Sequence, residues 1–144
     1  MTIPMLRTLG IAATSCLLST GLTAMPAQPA VAAPTVTPVA TGLQVPWDVT
    51  WVGTTMLFNE RPGRLWSLQP GGTPQRVTLP LPEVYQGSEA GLTGMVADPA
   101  AATNGYFDTC SSVATADHKA KDVEVWKWRL TSPTTAEQVG KGAI

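Results

Sequence analysis

The chain has 144 residues with nine Lys+Arg, ten Asp+Glu and a formal net charge of -1. That balance excludes a basic nucleic-acid footprint, which needs clustered Lys and Arg to displace counterions from phosphates, and it leaves no polybasic patch for anionic membranes. Charged residues make up 13% of the chain, about half the usual share of roughly 25%, and 13 Gly with 13 Pro point to frequent turns rather than long helices.

From Met1 to Trp47 the one charged side chain is Arg7; the first acid is Asp48. An apolar stretch from Leu9 to Leu22 follows Arg7, and Ala30-Val31-Ala32 supplies an A-x-A pattern. A positive start, a short apolar core and a small-residue cleavage site are the anatomy of a secretory signal peptide, so residues 1–32 are read as one, cut after Ala32, and the product as secreted or extracytoplasmic. The stretch is too short and too polar for a spanning helix, which needs about 20 mostly apolar residues. A rival reading, lipid anchoring at Cys16, is weaker because Ala13 stands where a lipobox has Leu. Cleavage leaves Cys110 as the sole thiol of an exported chain, an odd Cys that suggests a free thiol or a missing partner.

Residues 33–42 (APTVTPVATG) lack periodicity and are expected to form an extended, mobile linker. Beyond it, Trp47, Val49 and Trp51 alternate with Asp48, Thr50 and Val52, as in a strand with one well-buried face. Gly53-Thr54-Thr55 turns into a second strand at Met56–Asn59, and Arg61-Pro62-Gly63 into a third at Arg64–Leu68. Pro70–Pro74 breaks the chain before a fourth at Arg76–Leu79. A second round starts at Leu92–Ala97, stops at Asp98-Pro99 and resumes at Tyr106–Ser112. In Asp122–Leu130, Val123, Val125, Lys127 and Arg129 share one face, while Glu124, Trp126, Trp128 and Leu130 share the other.

Four-stranded units recurring every ~40–50 residues are the signature of propeller blades, so the fold class is all-β: a partial β-propeller of about two four-stranded antiparallel blades over residues 43–144. Two blades cannot close a ring. Their Trp- and Leu-rich faces and strand edges would be left bare, so the chain is expected to be a truncated domain or to self-associate through its exposed blade edges.

Other motifs carry little chemistry. Gly87-x-x-x-Gly91-x-x-Gly94 lacks the Lys-Ser/Thr of a phosphate loop, and no Cys/His spacing suits zinc. His118 lies in the charged loop Ala116–Lys121, which reads as solvent-exposed rather than as the pocket a general base needs. Cys110 reads as a buried, unpaired thiol. The five Trp, at 47, 51, 66, 126 and 128, could stack on a sugar, but alternation on strands favours a place in the core between blades.

Five ordered segments resemble the N-terminal portion of the glucose/sorbosone dehydrogenase family of soluble sugar dehydrogenases: GLQVPWDVTW (Gly42–Trp51), MLFNERPGRLW (Met56–Trp66), GSEAGLTGMVADP (Gly87–Pro99), ATNGYF (Ala102–Phe107) and VEVWKWRL (Val123–Leu130). The resemblance implies a six-bladed propeller with pyrroloquinoline quinone (PQQ) over its channel near a calcium ion, and a sugar substrate. It also implies a His general base that works with the quinone, since the cofactor carries the redox chemistry while the protein supplies position and proton transfer. Glu89 occupies the Gln/Glu position that in the family reaches the sugar and is the candidate substrate-binding residue; an exposed acid on a Gly-flanked loop is the plain alternative. The family's catalytic His sits in a H-x-G-G-R-like stretch that this sequence lacks, so no catalytic residue is assigned. Cofactor cations and calcium ligands belong to later blades, which makes binding of PQQ or calcium by this chain doubtful. The expected function is therefore the N-terminal part of a secreted PQQ-dependent sugar dehydrogenase, inactive alone. A non-catalytic extracytoplasmic module, binding a partner or assembling with its own copies, is the alternative.

Overall fold

A computed structural model describes residues 32–140. The signal segment and Cys16 fall outside the described residues, apart from Ala32 at the segment's end. Among the described residues no helix is long and apolar enough to cross a membrane.

Two four-stranded antiparallel sheets make up the body, each ordered as the chain runs. The first holds β1 (Pro46–Val52), β2 (Thr55–Glu60), β3 (Arg64–Leu68) and β4 (Gln75–Val77); the second holds β5 (Leu92–Ala97), β6 (Tyr106–Ala114), β7 (Ala120–Ser132) and β8 (Thr135–Gln138). Gly53 and Gly63 close the first two turns with φ of 61° and 91°, conformations that cost glycine little and other residues much. A four-residue helix, α1 (Ala101–Asn104), bridges β5 and β6. Asp98 organises it by accepting bonds from the Ala100 amide at 2.8 Å and the Asn104 side chain at 3.0 Å.

The sheets pack face to face. Val52, Leu57, Leu65 and Val77 of the first meet Met95, Phe107, Trp126, Trp128 and Ala136 of the second in one apolar core. Trp128 and Phe107 are fully buried, each worth roughly 1.5–3 kcal/mol of transfer free energy, and the Trp128 indole spends its N–H on Thr109 Oγ1 at 2.8 Å. Polar bonds lace the two sheets together at both margins. Near β1 and β5, the Met95 amide donates to Asp48 Oδ2 at 2.8 Å and the Ala97 amide to Thr50 Oγ1 at 3.2 Å. Beyond β4 and beside β8, the Thr78 amide donates to the Thr134 carbonyl at 2.8 Å and the Ala136 amide to the Thr78 carbonyl at 3.0 Å.

Seven of the eight strands fall where alternation put them, β8 was not anticipated, and two orientations are corrected. On β1 it is the Asp48, Thr50, Val52 face that turns inward, whereas Trp47, Val49 and Trp51 are 44%, 45% and 54% exposed. Asp48 and Thr50 face inward because their oxygens satisfy backbone amides of the opposite sheet, a bond that Trp or Val cannot make. The five Trp therefore divide: Trp126 and Trp128 lie in the core between sheets, Trp66 is half-buried, and Trp47 and Trp51 stand on the outer face of the first sheet. Cys110 is free and half-buried rather than buried, because it points to the outer face of the second sheet.

Candidate functional site

Alternating strand directions bring the β2–β3 turn, the β4–β5 connection and the β6–β7 turn to one end of the two sheets. β1 and β5 run the same way, as the paired contacts of residues 48 with 95 and 50 with 97 require. Chemistry-bearing side chains gather at this end.

The β4–β5 connection is held along most of its length. Its middle pairs with the end of β6: Val84 faces Val113, the Tyr85 amide bonds the Ser112 carbonyl at 2.9 Å, and the Ala114 amide bonds the Glu83 carbonyl at 2.8 Å. It then makes a tight excursion from Gly87 to Gly91, closed by the Ala90 amide on the Gly87 carbonyl at 2.9 Å, and returns to β5 through the Ser112 amide on the Gly91 carbonyl. Glu89 sits at the tip of this excursion with its side chain 80% exposed.

Arg61, the residue after β2, lies beside it. Its guanidinium approaches Glu89 Oε2 at 3.6 Å and covers the Trp47 ring with 5.6 Å to the centroid. The backbone of Arg61 is tied on both sides: its amide donates to the Val45 carbonyl at 3.0 Å and its carbonyl accepts the Leu92 amide at 2.8 Å. Gly91 makes room for it. A Cβ at Gly91, where φ is 150°, would overlap Arg61 Cγ and come within 2.5 Å of the Arg61 carbonyl oxygen.

Glu60, one residue earlier, is only 1% exposed. Arg64 grips it through Nε to Oε2 at 2.6 Å and Nη2 to Oε1 at 3.2 Å; the Trp66 indole donates to Oε2 at 2.8 Å and the Gln44 amide to Oε1. Burial pushes this carboxyl up, but the bonds from Arg64, Gln44 and Trp66, together with the Arg64 charge, outweigh it and hold the group below its ordinary value. Glu60 is thus a buried anchor that ties the segment before β1 to β2 and β3.

His118 lies on the β6–β7 turn, 76% exposed, with Nδ1 against the Glu83 carboxylate. Beside it Lys119 and the Thr115 hydroxyl bond Asp117 and hold its carboxyl below the ordinary value. His118 lines a small open hollow of about 210 Å³ together with Glu83, Val84, Tyr85, Gln86 and Ala114. Of the cations near this end, Arg61, Arg64, Lys119 and Lys121 are paired with Glu89, Glu60, Asp117 and Glu124, and Arg76 lies over the Trp66 ring beside Arg64. Among the described residues no cluster of three or more His, Cys, Asp or Glu could hold a metal ion.

A groove of about 500 Å³ opens on the outer face of the first sheet, lined by Val39, Leu43, Trp47, Trp51, Met56 and Phe58 among others. Asp48 is its one ionisable wall residue, so it is an apolar surface rather than a reaction chamber.

Sequence reasoning named Glu89 as the candidate sugar contact and Trp47 as one of five Trp that could stack on a sugar, but it did not single out Arg61 or bring the three together. Nothing in linear spacing joins positions 47, 61 and 89; the one available signal was Gly91, a glycine just before a strand that marks a close approach of another part of the chain.

Comparison with known proteins bears on the fold and the family. The glucose/sorbosone dehydrogenase family matches residues 43–141. A glucose dehydrogenase crystal structure aligns with a TM-score of 0.62 at 24% identity, covering 73% of this chain and 32% of its own. An oxidoreductase (glucose dehydrogenase) from Thermus thermophilus aligns at 0.57 and 27% identity over 70% of this chain and 29% of its own. The PQQ-bound aldose sugar dehydrogenase of Streptomyces coelicolor aligns at 0.52 and 19% identity, over 74% and 33%. No curated protein sequence matches the chain. The chain spans about a third of the length of these structures. Matched over most of its length and aligned in fold, the chain belongs to the glucose/sorbosone dehydrogenase family.

Proposed function

We propose that this chain is the N-terminal part of an exported PQQ-dependent sugar dehydrogenase, and that Glu89 contacts the sugar. The observation that carries this reading is the placement of Glu89: the acid of GSEAGLTG stands exposed at the tip of a glycine-bracketed excursion, at the end where the other connections also gather. A carboxylate there offers acceptor oxygens to sugar hydroxyls while the backbone beneath it is fixed by hydrogen bonds.

PQQ, when bound, supplies the acceptor for hydride. PQQ carries three carboxylates that call for cations, and near this end Arg61, Arg64 and Lys119 are already paired with Glu89, Glu60 and Asp117, while Arg76 lies over the Trp66 ring. Calcium draws on converging carboxylate and carbonyl oxygens, and among the described residues no three Asp, Glu, His or Cys side chains converge. The sole histidine is the exposed His118. The contribution of this chain is therefore positional, and turnover needs groups from elsewhere.

Two measurements test the reading. The mature chain, cut after Ala32, mixed with PQQ, calcium, glucose and a dye acceptor is expected to give no dye reduction above the blank; appreciable reduction overturns the inactivity. Glucose titrated to tens of millimolar is expected to shift the amide signals of residues 88–92 in the NMR spectrum, and unmoved signals overturn the role of Glu89.

The exposure of Trp47, Val49 and Trp51 favours a second reading, in which another copy of the chain covers this face and builds a ring by head-to-tail contact. Sedimentation decides it: a discrete trimer supports ring building, and a monomer at high concentration removes it.

A further inference from the structure

Glu89 has no packing to orient it. Its side chain is four-fifths exposed, and the contact recorded for its carboxylate is the Arg61 guanidinium at 3.6 Å. Arg61, by contrast, is fixed from several sides. Its backbone is bonded to Val45 and Leu92, its guanidinium lies over Trp47, and its side chain is 24% exposed. The stem passes through a lane that exists because residue 91 has no Cβ. Orientation thus runs from a ring fixed on β1, through a planar cation, to an otherwise unconstrained carboxylate. An isolated ion pair at such exposure stabilises a fold by little, so its value lies in where it points Glu89.

We propose that Arg61 is a positioning residue: seated on Trp47 and threaded past Gly91, it aims the Glu89 carboxylate. This rests on the reading of Glu89 as a sugar contact and adds the residue that makes that contact directional. The planar guanidinium matters as well as the charge, since an ammonium stacks less well on an indole.

The test uses the mature chain, cut after Ala32, and the indole N–H signal of Trp47. E89Q is expected to shift that signal in the native background and to leave it unmoved in R61M, with R61K recovering part of the response. R61M is expected to weaken glucose binding by about two- to fivefold, the range of an exposed ion pair, with partial recovery in R61K. Arg61→Gln, which removes the charge but keeps a polar stem in the lane, is likewise expected to abolish the coupling and covers the case in which R61M folds poorly. A Trp47 signal indifferent to E89Q in the native background overturns the proposal, as does unaltered glucose affinity in R61M. Coupling without any glucose response overturns the Glu89 assignment and with it the aim toward sugar; a glucose response without coupling overturns Arg61 alone.

Discussion

The Asp48 carboxylate on β1 accepts a hydrogen bond from the backbone amide of Met95 on β5 at 2.8 Å, a side chain of one sheet completing the main chain of the other. Asn59 supports the same junction, accepting the Asp48 amide at 2.8 Å and donating to the Leu92 carbonyl at 3.1 Å. Asp48→Ala leaves the Met95 amide without its acceptor and is expected to destabilise the fold by about 1–3 kcal/mol. Asp48→Asn, which keeps an acceptor oxygen, should lose less. Urea unfolding of the two variants side by side checks the ordering.

Trp128 and Trp51 offer a contrast between two residues that look alike in the sequence. Trp128 is fully buried, and truncation to Ala is expected to destabilise by about 3–5 kcal/mol. Trp51 is 54% exposed, and the same change should stay within about 0.5 kcal/mol in the isolated chain. Equal losses in a thermal melt would contradict the assignment of inner and outer faces.

How far the fold was legible follows from this pair. Alternation located seven of the eight strands because period-two patterning survives whichever face is buried. It did not reveal which face of β1 turns inward, since hydrophobicity favoured the Trp47 side and hydrogen bonding by Asp48 and Thr50 decided otherwise. β8 was missed because it is four residues long and buries only Ala136. At the candidate site Glu89 was named through its motif as the residue to test, whereas the meeting of Trp47, Arg61 and Glu89 is made by tertiary structure alone.

Gly91→Ala tests the close approach at that site independently of any ligand. With φ at 150° and a Cβ overlapping Arg61, either the loop or Arg61 must move. The expected outcome is a loss of about 2 kcal/mol or more in chemical unfolding, because the obstacle includes backbone and not only a flexible side-chain end.

Glu60 makes stability depend on pH. Its carboxyl is held below its ordinary value of 4.5 in the fold, so ionised Glu60 stabilises the folded chain at and above that pH. As pH falls below it and through the lower folded value, that stabilisation is lost. Glu60→Gln is expected to lower stability at neutral pH and to flatten the acid limb of a stability-against-pH curve. Asp98 and Asp117, also held low, retain part of the slope in that variant.

The bonds near β1 and β5 and those beside β8 fasten the two sheets along opposite borders. A pair of plates riveted on both borders cannot fan open like pages on a single spine. Opening of the sheets at either border would cost hydrogen bonds, so the backbone excursion that carries Glu89 rises from a doubly fastened base.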